Sequence, residues 1–147
     1  MLRILFVCHG NICRSPMAEF VMGELVRERG LEGLVSVASA ATSTEELGNP
    51  VYPPARRKLA EHGISCAGKR AIQMKRADYA RYDYIFYMDA WNLRNILRIT
   101  GGDPERKILP LLEGHEIDDP WYTGDFETAY RDILEGCRQQ LDRLFPR

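Results

Sequence analysis

Long apolar runs, an excess of charge of one sign, dense cysteine and internal repeats are all missing from this chain, and each absence removes a class of protein. No apolar stretch approaches the ~20 residues that a membrane-spanning helix needs. Residues 1–7, MLRILFV, are too short for a signal peptide and run straight into a glycine-containing turn. The expectation is a cytoplasmic chain without membrane insertion. Lysine and arginine number 20 against 21 acidic residues, for a net charge of −1 and a pI near 6.3. Non-specific nucleic-acid binding depends on a basic field that this balance lacks, so no nucleic-acid partner is expected and any anion site must be local. Four cysteines, Cys8, Cys13, Cys66 and Cys137, are too sparse for a secreted disulfide scaffold and point to free thiols in a reducing compartment. His9, His62 and His115 make no ligand spacing with them, so neither a metal nor another cofactor is expected. No period, low-complexity tract or linker divides the chain, which reads as one domain, 1–147.

What is present suffices for a core without disulfide or metal staples: 45% hydrophobic residues, 28% charged, and a mean hydropathy of −0.33. Leu2 and residues 4–7 form a short apolar run bounded by Cys8-His9-Gly10-Asn11, the pattern of a strand buried on both faces. After Pro16, Met17, Phe20, Val21 and Leu25 follow helical spacing as far as a C-capping Gly30. Residues 35–41 read as a second strand, followed by a turn-rich stretch through Gly48-Asn49-Pro50 and Pro53-Pro54. A helix is predicted over about residues 55–62, stopped by Gly63. Residues 84–88 are a third buried strand, Leu93, Ile96 and Leu97 mark the helix after it, and residues 107–112 supply a short fourth strand. Over residues 125–145, Phe126, Ala129, Tyr130, Ile133, Leu134, Cys137, Leu141 and Leu144 share one helical stripe. Strands alternating with helices predict an open α/β sheet with helices on both faces, in which ligands bind beyond the carboxyl ends of the strands. Cys8 stands at such an end.

Cys8-His9-Gly10-Asn11-Ile12-Cys13-Arg14-Ser15 places a thiol six residues before a guanidinium, with five residues between them to wrap round a bound group. Spacing alone is weak, because with sixteen arginines each cysteine has roughly a one-in-ten chance of an Arg six positions on. Cys137 and Arg143 share that spacing, but within an amphipathic helix whose N–H groups are already bonded. The Cys8 segment instead joins a buried strand to a helix start. It contains Gly10 and Asn11, which tolerate unusual backbone angles, and brings Ser15 and Pro16 to the first turn. Successive free N–H groups at the positive end of a helix macrodipole form a concave site for a dianion, and Arg14 can add a bidentate fork. Helix N-termini and nearby cations also lower a cysteine pKa from about 8.5 to as little as ~3.5–7.5, and the thiolate is the nucleophilic form. As a small buried hydrophobe at a strand end, the alternative reading of Cys8, it would leave Gly10, Arg14 and Ser15 without a task.

The segment CHGNICRSP resembles the signature loop of the low-molecular-weight protein tyrosine phosphatases, and lies near the N-terminus as in that family. The similarity continues through SAATS at 39–43, GNP at 48–50, YIFYMD ending at Asp89, NLRN at 92–95 and DPW at 119–121. The DPWYTG segment looks more like bacterial members than animal ones. The fold implied is α/β, an open four-stranded parallel sheet in the order 2-1-3-4 flanked by helices on both faces, in agreement with the alternation above. The activity implied is hydrolysis of phosphotyrosine in a protein or peptide through a cysteinyl-phosphate, without a metal and with inorganic phosphate as product. Cys8 is then the nucleophile, and Arg14 holds the phosphate with the loop residues His9, Gly10, Asn11, Ile12, Cys13 and Ser15. A phenolate leaving group needs a proton donor. The family's acid, the Asp of a late DP dipeptide, falls on Asp119, which Pro120 biases toward an extended conformation. Asp118 is the rival.

Asn11, Ser15 and Ser39 match polar residues that brace the loop in that family. Where the family often has a histidine in a GHRA-like segment, this chain has Lys69, most simply a solvated surface charge. Trp121 and Tyr122 resemble the aromatic wall beside the substrate ring, with ordinary packing under a loop as the alternative. The opposite wall, aromatic in many relatives, falls on Glu45, which weakens apolar clamping and favours peptides with basic residues near the phosphotyrosine. Cys13 shares the loop with Cys8, and either a reversible disulfide protecting the thiolate or plain packing accounts for it.

Three other readings remain open. Arsenate reductases of the same fold relay oxidation to further mid-chain cysteines, and this chain has none between Cys66 and Cys137. Protein arginine phosphatases of the superfamily typically have Thr where this loop has Ile12, and an apolar side chain is better suited to excluding a guanidinium than to binding it. A non-catalytic phosphopeptide-binding module would keep the cradle without needing Cys8, Arg14 and Asp119 together.

Overall fold

The apolar run after Met1 forms strand β1 (Leu2–Cys8), buried from Ile4 onward, in a computed structural model that describes all 147 residues. β1 lies inside a wholly parallel four-stranded sheet ordered β2-β1-β3-β4, with β2 at Val35–Ala41, β3 at Tyr84–Tyr87 and β4 at Ile108–Pro110. Successive β1 side chains enter two different cores, as the period of a strand requires. Ile4, Phe6 and Cys8 pack with helices α1 (Arg14–Glu28), α2 (Pro53–Glu61) and α6 (Phe126–Leu144). Leu5 and Val7 pack on the other face with Ile85, Ile108 and helix α4 (Ala90–Thr100) through Ile96. Both faces being covered explains why β1 reads as continuously apolar rather than alternating. No helix is long and apolar enough to cross a membrane.

Two four-residue helices, α3 (Asp78–Arg81) and α5 (Pro120–Thr123), lie outside the sequence expectation, because one turn cannot carry a helical period. α2 starts two residues earlier than expected, with Pro53 and Pro54 in its first turn, where a missing N–H is harmless. β3 ends one residue earlier than expected and β4 begins one residue later, each beside a local side-chain bond, and β4 stops at Pro110 rather than at residue 112. The N–H of Met88 is taken by Asn92 Oδ1 at 3.1 Å, and those of Lys107 and Ile108 by the Asp103 carboxylate at 2.9 and 3.1 Å.

Gly136, in the middle of α6, is set by packing against the residue that follows β4. A Cβ there would stand 2.8 Å from Leu111 Cγ and 3.0 Å from its carbonyl oxygen. Alanine gains about 1 kcal/mol of helix propensity, but overpacking against a fixed backbone costs about 1–3 kcal/mol. Contacts this short place the cost in the upper part of that range, for a net loss of about 1–2 kcal/mol, so Gly136→Ala is expected to lower the melting temperature by roughly 3–8 °C. An unchanged or higher midpoint would show that α6 shifts freely on the sheet.

Candidate active site

The chain leaves β1 at Cys8 and turns back into α1 at Arg14. Of the two residues that tolerate unusual angles, Asn11 uses that tolerance, with the positive φ of 59° that the reversal needs, and Gly10 is not among the positive-φ residues. A Cβ at Gly10 would sit 3.3 Å from Glu46 Cγ, a close contact that the Glu46 side chain would have to relieve by a small shift. Asn11 is buried and held from three sides: its Nδ2 donates to Ser15 Oγ at 2.7 Å and Ser39 Oγ at 2.9 Å, and its Oδ1 accepts the Ile72 N–H at 3.1 Å. The Cys13 side chain makes no capping bond to α1, and the Ser15 N–H points at Cys8 Sγ, 3.4 Å away. Ser15 Oγ lies 3.0 Å from the same sulfur. With the thiol protonated, Cys8 Sγ donates to that hydroxyl and accepts the N–H; with the sulfur ionised, both Ser15 groups can donate to it, an arrangement at a helix start suited to an anion.

Arg14 is 2% exposed and locked. Its Nη1 donates to Asp89 Oδ2 at 2.7 Å and to the Ile117 carbonyl at 2.8 Å, and its Nη2 faces Asp119 Oδ2 at 3.4 Å. Burial alone would lower its pKa, but Cys8, Asp119 and Asp89 together hold the guanidinium above its ordinary value. Asp89 is itself fixed as the N-cap of α4, accepting the Asn92 N–H at 2.8 Å. The sequence reading quoted Asp89 only as the end of a similar stretch. Its signal was there, a carboxylate at a strand's carboxyl end with Asn92 three residues on.

Cys8, Gly10, Ile12, Cys13 and Arg14 line a cavity of about 100 Å³, with His9, Glu45, Glu46, Asp119, Trp121 and Tyr122 completing it. Asp119 caps α5 by accepting the Trp121 N–H at 3.0 Å with Oδ1, which leaves Oδ2 toward Arg14. Its rival Asp118 lines a different hollow, with Thr123, Asp125 and Asp132. Glu45 Oε2 is 2.7 Å from His9 Nε2. Trp121 is backed by Tyr52, ring centroids 4.7 Å apart, a support that the sequence reading missed. Asn11 and Ser15, expected among the phosphate-binding residues, put their side chains behind the loop rather than on the cavity wall, where they meet Ser39. Burial, then the neighbouring Cys8, push the Cys13 thiol far up, so it is held protonated. Both cysteines are free. Lys69 corrects another expectation: its side chain is 11% exposed, donates to the Ser39 carbonyl at 2.9 Å and lies 3.5 Å from Glu19 Oε1. It is no solvated surface charge.

The family model for low molecular weight phosphotyrosine protein phosphatase matches residues 3–146. The chain belongs to that family. The low molecular weight protein-tyrosine-phosphatase YfkJ of Bacillus subtilis is 39% identical over 147 residues, covering 96% of this chain and 94% of its own. Its crystal structure superposes with a TM-score of 0.94 over 98% of this chain and 94% of that one, at 37% identity. The low molecular weight phosphotyrosine protein phosphatase of Gallus gallus is 38% identical over 149 residues, covering 95% of this chain and 94% of its own. A Drosophila arginine phosphatase also superposes, with a TM-score of 0.88 and 30% identity over 98% of each chain. Within the family, then, the backbone alone does not choose the leaving group, and discrimination falls to the cavity's own residues. Here Ile12, 8% exposed, gives that cavity an apolar side chain.

Proposed function

We propose that this protein hydrolyses phosphotyrosine in proteins or peptides, releasing inorganic phosphate through a cysteinyl-phosphate on Cys8, without a metal. One observation carries the reading: a buried sulfur faced by the Ser15 N–H and hydroxyl shares a single small cavity with a locked guanidinium and with Asp119. Cys8 Sγ attacks phosphorus, the S–P bond forming as the P–O bond to the ring breaks. Arg14 and the loop N–H groups hold the equatorial oxygens, and each such preorganised donor is worth about 2.7–4 kcal/mol in comparable sites. Asp119, as the acid, gives its proton to the phenol oxygen, and tyrosine leaves. The resulting carboxylate takes a proton from water, the water oxygen bonds to phosphorus, and the S–P bond breaks to restore the thiolate. Trp121, backed by Tyr52, and Tyr122 offer flat faces to the ring. Apolar Ile12 favours a phenol over a guanidinium as the departing group. The family match over residues 3–146 supports a single domain, and four free buried cysteines suit a reducing, cytoplasmic setting.

An aryl phosphate assayed with and without chelator tests the reaction, and a phosphoarginine peptide tests the substrate. Chelator-resistant turnover of the aryl ester is expected, with the phosphoarginine peptide a poor substrate. Binding without turnover would reverse the first assignment, and faster release from phosphoarginine the second.

Glu45, on the cavity rim and exposed, makes this site selective by charge. Exposed ion pairs contribute about 0.2–1 kcal/mol, so phosphotyrosine peptides with basic neighbours should show kcat/KM up to about 5-fold higher than acidic ones. Glu45→Gln should erase that difference. Equal rates on the two peptide sets with the native enzyme would remove Glu45 from the specificity.

A further inference from the structure

Behind the loop a line of buried polar side chains runs from Ser15, beside the sulfur, away from the cavity. Ser15, Ser39 and Asn11 are 0%, 0% and 1% exposed, and no two of them can exchange roles freely. The Asn11 carbonyl is committed to the Ile72 N–H at 3.1 Å, which fixes the amide the other way round toward the serines. Its two N–H groups therefore donate to Ser15 Oγ and Ser39 Oγ. Each hydroxyl has one proton left to place. That of Ser39 goes to Glu19 Oε1, 2.6 Å away, and that of Ser15 is left facing Cys8 Sγ at 3.0 Å. Proton polarity is thus set throughout, with acceptors at both ends, a carboxylate on one side and the sulfur on the other.

The carboxylate end has its own counter-charge. Lys69 Nζ lies 3.5 Å from Glu19 Oε1 and donates to the Ser39 carbonyl at 2.9 Å, with side-chain exposures of 11% for Lys69 and 17% for Glu19. A carboxylate so far from water is costly without a cation beside it. We propose that Lys69 and Glu19 are positioning residues for Cys8: Lys69 holds Glu19 as the fixed acceptor of Ser39, and Ser39 so anchored braces the Asn11 amide at the distance from which it donates to Ser15 and leaves the Ser15 proton to the sulfur. The proposal rests on Cys8 being the nucleophile.

Two readouts test it in the full-length enzyme: the rate at which iodoacetamide alkylates Cys8, followed by peptide mapping to separate it from Cys13, and steady-state turnover of an aryl phosphate. Alkylation reports the thiolate whether or not the protein turns over substrate. With Lys69→Met, alkylation near pH 6 should slow about tenfold, the equivalent of one charge-assisted hydrogen bond, and the deficit should close toward pH 10. Turnover should fall through kcat, with KM within about twofold, because Lys69 is remote from the cavity wall. Lys69→Arg, which keeps the charge, should recover most of both. Melting curves identify any variant that has merely unfolded, and Lys69→Arg then carries the test. Native alkylation and kcat in a folded Lys69→Met, or no recovery in a folded Lys69→Arg, would overturn the proposal. Lys69-dependent alkylation in a protein that turns over no phosphate ester would sink the phosphatase reading and leave the positioning role standing.

Discussion

Replacing Cys8 with serine is expected to abolish turnover, by a factor on the order of 10⁵–10⁶ as for other nucleophile deletions, while inorganic phosphate still binds. The reason lies in what surrounds the sulfur. Its polar neighbours are the Ser15 N–H, which donates to it, and the Ser15 hydroxyl, which can donate once the sulfur is ionised, and the guanidinium of Arg14 shares its cavity. Such surroundings stabilise an anion that already exists and offer nothing to take up a proton. A thiol can be ionised by the field alone, because it starts within a few units of neutrality. A serine hydroxyl starts far higher and needs a general base, and none is bonded to this position. Arg14 and the loop amides are untouched by the change, so their hold on a phosphate dianion should persist. Steady-state release of a chromogenic phenol and phosphate titration followed by ³¹P resonance check the two halves separately. Activity that follows Cys8→Ser through purification would remove Cys8 from the chemistry.

The strand, the loop and the helix around Cys8 were legible because each rests on neighbours in sequence: a buried run, a turn and a helical stripe. Asp119 was legible for the same reason, since a DP dipeptide is local. Contacts that close across the chain were not. Arg14 meets Asp89 75 residues away, and Asn11 accepts the Ile72 N–H 61 residues on. Lys69 shows the limit most plainly. A lysine is usually solvated, and nothing beside it in sequence reveals that the end of β2 and the α1 carboxylate Glu19 converge on its ammonium. The end of β3 and the start of β4 differ from the apolar pattern because the side chains of Asn92 and Asp103 take the Met88 and Lys107 N–H groups that the pattern assigns to the sheet.

Asp119→Asn separates the acid from the rest of the site. The amide oxygen can still accept the Trp121 N–H that Oδ1 accepts now, so α5 and the aromatic wall should stay in place. What is lost is the proton for the departing oxygen, and general acid catalysis is worth about 10²–10⁴ in rate. That loss must depend on the ester. For a phenol as basic as tyrosine, kcat should fall by about 10²–10³, whereas an aryl group that leaves readily as its anion should be expelled almost as fast as before. KM should stay level or drop, because Arg14 and the loop N–H groups that hold the phosphate are untouched. The second step suffers as well, since an amide cannot take a proton from the attacking water. With a good leaving group, breakdown of the thiophosphate should therefore become limiting, and one equivalent of phenol should appear in a burst before slow turnover. Asp118 supplies the control: lying in the separate hollow with Asp125 and Asp132, its amide variant should behave as the native enzyme on every ester. A uniform loss across leaving groups in the phenol-releasing step of Asp119→Asn, or a leaving-group-dependent loss in Asp118→Asn, would take the proton transfer away from Asp119.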